Sequence, residues 1–247
     1  MNKKQFFIVG AQRSGTTYLY DILDQHPKIC MAKPVRPEPK YFLNKKLDEI
    51  NLDEYYQTYY QQCSKSKVFG EKSTSYYENE EVAKILSVSC PHAKIIFCLR
   101  NPVKRALSNY QFSVDHGLET RTLEEVFVEN KSIENFNFST SVNPFNYLGR
   151  GEYARYIKMY QKYFPKNQIK VLIFEELVNN ENEIKKLYDF LEVDSNFIPS
   201  NLEKVVNASS KKESINENIA LKIQEYYKAH NEELSEMLNN ALNCWKL

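Results

Sequence analysis

The sequence predicts an α/β fold: a P-loop-like, three-layer domain with a central, mostly parallel sheet and helices on both faces. Three observations predict it. Apolar runs of strand length recur at Phe6–Val9, Lys94–Leu99 and Ile169–Phe174. Amphipathic stretches of helical spacing separate them. The first strand runs through a loop bracketed by Gly10 and Gly15 straight into a helical pattern, Tyr18, Leu19, Ile22 and Leu23. A chain of 247 residues is long enough for one large α/β domain, and we read residues 1–247 as a single domain.

Taken in order, Thr16–Gln25 reads as a helix stopped by His26-Pro27. Lys28–Met31 is a short strand. Pro34, Pro37 and Pro39 then forbid a helix and hold the backbone extended. A Tyr-rich helix spans Leu52–Gln61, a short strand Val68–Gly70 and a helix Asn79–Ser87, with Val82, Ile85 and Leu86 on one face. Lys94–Leu99 suits a central parallel strand buried on both faces. After it Asn101 can cap a helix whose first position is Pro102. From about 115 to 150 the pattern weakens, apart from a short helix near Leu123–Glu129, and reads as an irregular insertion suited to acceptor contacts. Helices at Glu152–Phe164, Glu181–Leu191 and Asn216–Leu242, with the strand Ile169–Phe174, complete the chain.

Composition excludes some functions. Lys plus Arg number 33 and Asp plus Glu 32, a net charge of +1. That balance argues against general electrostatic binding to nucleic acid or acidic membrane, so an anion site must be local. Five cysteines at 30, 63, 90, 98 and 244 form no C-x-x-C pair. They read as reduced thiols of a cytoplasmic protein, with no metal site. The N-terminal residues read as having no signal peptide, and no apolar run comes near the roughly 20 residues of a membrane span.

The loop between Gly10 and Gly15 carries the chemistry. Its backbone N–H groups and the following helix N-terminus favour an anion. Gln12, Arg13, Ser14 and Gly15 form it, and Thr16 and Thr17 add hydroxyls. A nucleoside-triphosphatase loop would carry Lys directly after the second Gly. Here Thr16 stands in that place and the cation has moved to Arg13, so the loop should hold its anion without magnesium.

Five segments resemble the sulfotransferases that use 3′-phosphoadenosine 5′-phosphosulfate (PAPS), in the branch with heparan sulfate and tyrosylprotein sulfotransferases. GAQRSGTT at 10–17 is similar to that family's 5′-phosphosulfate loop, and LRNPVKRALSNY at 99–110 to its 3′-phosphate segment. Glu38-Pro39-Lys40-Tyr41-Phe42, GEKSTSYY at 70–77 and the helix–strand unit at 151–177 follow in the family's order. The resemblance implies transfer of a sulfuryl group from PAPS, leaving 3′-phosphoadenosine 5′-phosphate (PAP), with no metal required. Gln12 to Thr17 would hold the 5′ end. Arg100 and Ser108 would hold the 3′-phosphate, on the same edge of the sheet. Lys211 and Lys212 stand where relatives carry an Arg on a donor-covering loop. Arg13 and Lys72 would offset charge on the leaving oxygen, and Glu38 would be the base.

Other readings stand beside these. Glu38 could be a solvated loop carboxylate. Glu71 is a rival base that could instead be an ion-pair partner, and His26 and His116 are further candidates. The implied acceptor is a carbohydrate hydroxyl; protein tyrosine, lipid and small molecules are alternatives. A P-loop nucleotide-binding or nucleotide-kinase-like protein is the alternative class. The oligomeric state is not legible in the sequence.

Overall fold

The computed structural model describes residues 3–63, 68–133, 142–202 and 217–245. In chain order the elements are β1 (Lys4–Gly10), α1 (Thr16–Asp24), β2 (Ile29–Met31), α2 (Leu52–Tyr59), β3 (Val68–Lys72), α3 (Glu80–Ser89), β4 (Lys94–Leu99) and α4 (Pro102–Asp115). They continue with α5 (Leu123–Phe127), α6 (Tyr153–Gln161), β5 (Ile169–Ile173), α7 (Phe174–Leu177), α8 (Glu181–Leu191) and α9 (Glu217–Leu238). The chain divides into two compact units, residues 1–99 with 156–206 and residues 100–155 with 207–247.

The first unit contains a five-stranded sheet in the order β2-β3-β1-β4-β5, with every pairing parallel. β1 lies between β3 and β4, which is why Phe6 to Val9 are all fully buried. Period-two alternation sends Phe6 and Ile8 to one face, where α1 and α8 cover them with Leu19, Ile22, Leu187 and Leu191. Phe7 meets Phe42 edge-on at 5.6 Å on the other side. There Phe97 packs between Tyr77 and Tyr160.

β3 is longer than the sequence suggests. It runs on through Glu71 and Lys72, which pair with Phe7 and Ile8. Charged residues looked like the end of a strand, yet both are buried: Tyr55 OH donates to Glu71 Oε2, and Lys72 pairs with Glu38. α3 opens as expected, with the Asn79 side chain accepting from Val82 N at 3.0 Å.

A correction concerns the cysteines. Cys30 and Cys63 form a disulfide, their Cα atoms 6.0 Å apart; only Cys90, Cys98 and Cys244 are free. The spacing gave no sign of it, because the pair meets only after α2 brings the chain back to β2. The cysteine count therefore no longer speaks for a reducing compartment. Among the described residues no helix is long and apolar enough to cross a membrane.

In the second unit α4, α5 and α9 share a core of Val103, Ala106, Leu107, Val126, Phe127, Ile219, Ile223 and Tyr227. The Asn101 side chain caps α4 by accepting from Lys104 N at 3.1 Å, with Pro102 in the first turn. Between α4 and α6 the described residues form α5 and a single turn at Gly149–Gly151 and are otherwise irregular; 134–141 lie outside the described residues.

Candidate functional site

The loop after β1 is tied down by its own unit. Ala11 N donates to Cys98 O at 2.9 Å, and the Cys98 thiol donates to Ser14 O at 3.0 Å. Arg13 (φ 65°) and Gly15 (φ 85°) both adopt left-handed backbone. Gly15 occupies the cap position of α1 and offers no side chain to it. Among the described residues no side chain caps the first turn, so its N–H groups and the helix dipole suit an outside acceptor. Ser14 Oγ is fully buried and, among the described residues, has no hydrogen-bond partner. An unpaired buried hydroxyl costs about 1–3 kcal/mol, so Ser14 has a donor to spend on a ligand. Gln12, Arg13 and Thr17 are partly exposed around it, and Thr16 is buried. This set fits an anionic group such as the 5′-phosphosulfate.

Glu38 is not a solvated loop carboxylate. It forms a salt bridge with Lys72 and accepts from Thr74 N at 2.8 Å and from Thr74 Oγ1 at 2.9 Å. Its side chain is 15% exposed and that of Lys72 4%. Lys72 comes from the end of β3, so a residue from the proline-rich segment and one from the GEKSTSYY segment meet. Thr74 went unremarked in the sequence; its position two residues after Lys72 in that segment was the available signal.

Among the described residues Glu71 does not form the ion pair anticipated for it. Its side chain is completely buried, and Tyr55 OH donates to its Oε2 at 2.5 Å. Burial pushes its carboxyl above the ordinary range, opposed by the hydroxyls of Ser73, Tyr55 and Tyr76. Glu71 is thus enclosed, whereas the Glu38 side chain keeps some exposed surface. His26 is buried at the end of α1, its Nδ1 accepting from Lys28 N and its Nε2 3.0 Å from Asp194 O. It is the helix stop that His26-Pro27 suggested. His116 is exposed at the end of α4, its Nδ1 2.8 Å from Phe112 O.

In the second unit Arg100 directly precedes the cap of α4, and Tyr153 OH donates to its carbonyl at 2.7 Å. Ser108 lies two turns along α4 and is partly exposed. Lys211 and Lys212 lie outside the described residues. Sequence reasoning passed over two arginines that the fold buries completely, Arg105 and Arg150. Arg105 donates to Tyr147 O, and Arg150 to Asn143 O at 2.5 Å and Asn109 Oδ1 at 3.2 Å. Both pin the irregular 143–150 stretch. Their charge made them look like surface residues; only the surrounding carbonyls explain their burial.

The chain belongs to the sulfotransferase domain family, whose model matches residues 3–246. It is 28% identical over 211 residues to a bifunctional heparan sulfate N-deacetylase/N-sulfotransferase of Drosophila melanogaster, covering 76% of this chain and 20% of that protein. It is 26% identical over 188 residues to mouse heparan sulfate glucosamine 3-O-sulfotransferase 3B1, covering 76% of this chain and 45% of that one. The chain thus spans less than half the length of these two relatives. Among solved structures, a sulfotransferase from Alicyclobacillus acidocaldarius superposes with a TM-score of 0.76 at 24% identity over 99% of each chain. Mouse sulfotransferase SULT7A1, solved with PAP, gives 0.52 at 14% identity, over 95% of this chain and 84% of that one. These likenesses bear out the α/β fold with its parallel sheet.

Proposed function

We propose that this chain, acting as one sulfotransferase domain over residues 1–247, transfers a sulfuryl group from PAPS to an acceptor hydroxyl. The observation that carries the reading is the meeting of Glu38 and Lys72. Two residues assigned to catalysis from separate segments come together with the carboxylate held in one orientation. The donor supplies an activated sulfuryl group on a phosphate leaving group. Glu38 takes the acceptor's proton as its oxygen attacks sulfur. Lys72 and Arg13 stabilise the charge that collects on the leaving phosphate oxygen. Gln12, Ser14, Gly15, Thr16 and Thr17 hold the 5′ end through backbone N–H groups and hydroxyls. Arg100 binds the 3′-phosphate through its fork and Ser108 through its hydroxyl, and Lys211 and Lys212 add charge over the donor. No step needs a metal. The heparan sulfate relatives support a carbohydrate acceptor, which residues 115–150 help to contact.

Two measurements test the reading. PAP without magnesium should raise the melting temperature; at a hundred times Kd the gain is about 2.7 kcal/mol, or about 5–10 °C for a chain of this size. Stabilisation by Mg-ATP alone would return the chain to the nucleotide-kinase class. Incubation with labelled PAPS and a panel of glycans, peptides, lipids and phenols should place label on a glycan; label on another class corrects the acceptor.

A further inference from the structure

The buried titratable group that the proposed chemistry leaves unused is Glu71. Its side chain is 0% exposed, and among the described residues it forms no salt bridge. Such a carboxylate is costly to keep, so its neighbours show what it does.

The Glu38 segment is fastened to the turn that follows β3 at two backbone amides beyond the catalytic carboxylate. Lys40 N donates to Ser73 Oγ at 2.9 Å. Phe42 N donates to Tyr76 OH at 3.1 Å. Each hydroxyl accepts one N–H and retains its own hydrogen to donate. Ser73 and Tyr76 both lie against the Glu71 carboxylate and favour its charged form, although Oε1 makes no bond of good geometry. Tyr55, the third hydroxyl on this carboxylate, packs its ring against Tyr41 and Phe42 at 5.0 and 5.2 Å. Ser73, Tyr76 and Tyr55 therefore each lead to residues 40–42, two to four positions after Glu38. Strand alternation sends Glu71 and Lys72 to opposite faces of β3. Glu71 accepts from Tyr55, which packs on Tyr41 and Phe42, while Lys72 meets Glu38 itself.

We propose that Glu71 is a positioning residue for Glu38. It accepts the Tyr55 hydroxyl hydrogen and lies beside the Ser73 and Tyr76 hydroxyls, and so fixes the groups that accept from Lys40 N and Phe42 N. It thereby locks the loop that presents Glu38 to Lys72 and Thr74. Its part in turnover rests on Glu38 being the base; its part in ordering the loop does not.

The test uses the full chain and two independent readouts. Amide hydrogen exchange of Lys40 and Phe42 should speed up about tenfold or more in Glu71→Gln, while the amides of α3 keep their protection. With labelled PAPS, kcat should fall about tenfold or more, with KM for the donor and the affinity for PAP unchanged. Ser73→Thr, which keeps the hydroxyl, should retain kcat where Ser73→Ala loses it. Glu71→Gln removes the cost of burying a charge and should fold; Glu71→Met takes its place if it does not. Unchanged exchange at both amides overturns the proposal, as does loss of protection spread evenly over β3 and α3, which marks a plain stability defect. Full kcat in Ser73→Ala overturns it too. Should the wild-type chain transfer label to nothing, the sulfotransferase reading fails while the exchange experiment still decides the role of Glu71.

Discussion

Replacing Gly15 by Ala separates two effects at the anion loop. At φ 85° the backbone is left-handed, which costs an L-residue about 1–2 kcal/mol. A Cβ there would also collide with the Phe174 ring. That ring is not free to swing away: it is packed on the α1–α8 core and meets Tyr18 edge-on at 6.0 Å. Overpacking of this kind adds about 1–3 kcal/mol. Gly15→Ala should therefore destabilise by about 2–5 kcal/mol, lowering Tm by about 4–20 °C. Gly117 is the matched control. Its φ is 67° and nothing lies within 4 Å of its Cβ direction, so Gly117→Ala should cost the backbone strain alone. Urea unfolding measures both variants, and PAP titration of the folded fraction should show weakened binding only for Gly15→Ala. Equal costs for the two glycines, or unchanged PAP affinity in Gly15→Ala, would refute the claim that this close approach sets the loop.

Other expectations concern the charged groups. Glu38→Gln should lower kcat by about 10²–10⁴-fold while PAP affinity holds; undiminished turnover of labelled donor removes Glu38 as the base. Arg13→Lys keeps the charge but loses the fork, so PAP should bind about tenfold more weakly by calorimetry, with equal affinity speaking against a direct contact. The buried Glu119 carries a pH dependence. Burial raises its carboxyl pKa, but hydrogen bonds from Arg121 and Tyr147 outweigh that and hold it below the ordinary value. A lowered folded-state pKa means the stabilisation is complete above the unfolded value, about 4.3, and is lost as pH falls through the folded one. Arg121→Ala should cost about 3 kcal/mol at pH 7 and flatten this acid limb in melts between pH 3 and 6.

Local chemistry made much of the fold legible. Asn79 and Asn101 cap α3 and α4, Pro102 opens α4, and the apolar runs of β1 and β4 occupy the middle of the sheet. Boundaries slipped where burial overrode composition. β3 continued through Glu71 and Lys72, and α9 stopped at Leu238 short of the expected Leu242. Propensity and periodicity see only neighbours along the chain. A charged residue bonded to a tyrosine sixteen positions away, as Glu71 is to Tyr55, looks exposed to any such reading.

By itself the sequence determined that a Gly-bracketed, Arg-bearing turn opens a helix, and that Asn101 and Pro102 open another. Those features are written in residue type and short spacing. Only the tertiary structure decided that Glu38 is held by Thr74, that Glu71 is walled off by tyrosines, and that Cys30 is bonded to Cys63. Each of these depends on segments more than thirty residues apart, or on the burial of a polar group whose partners are fixed only once the sheet has formed.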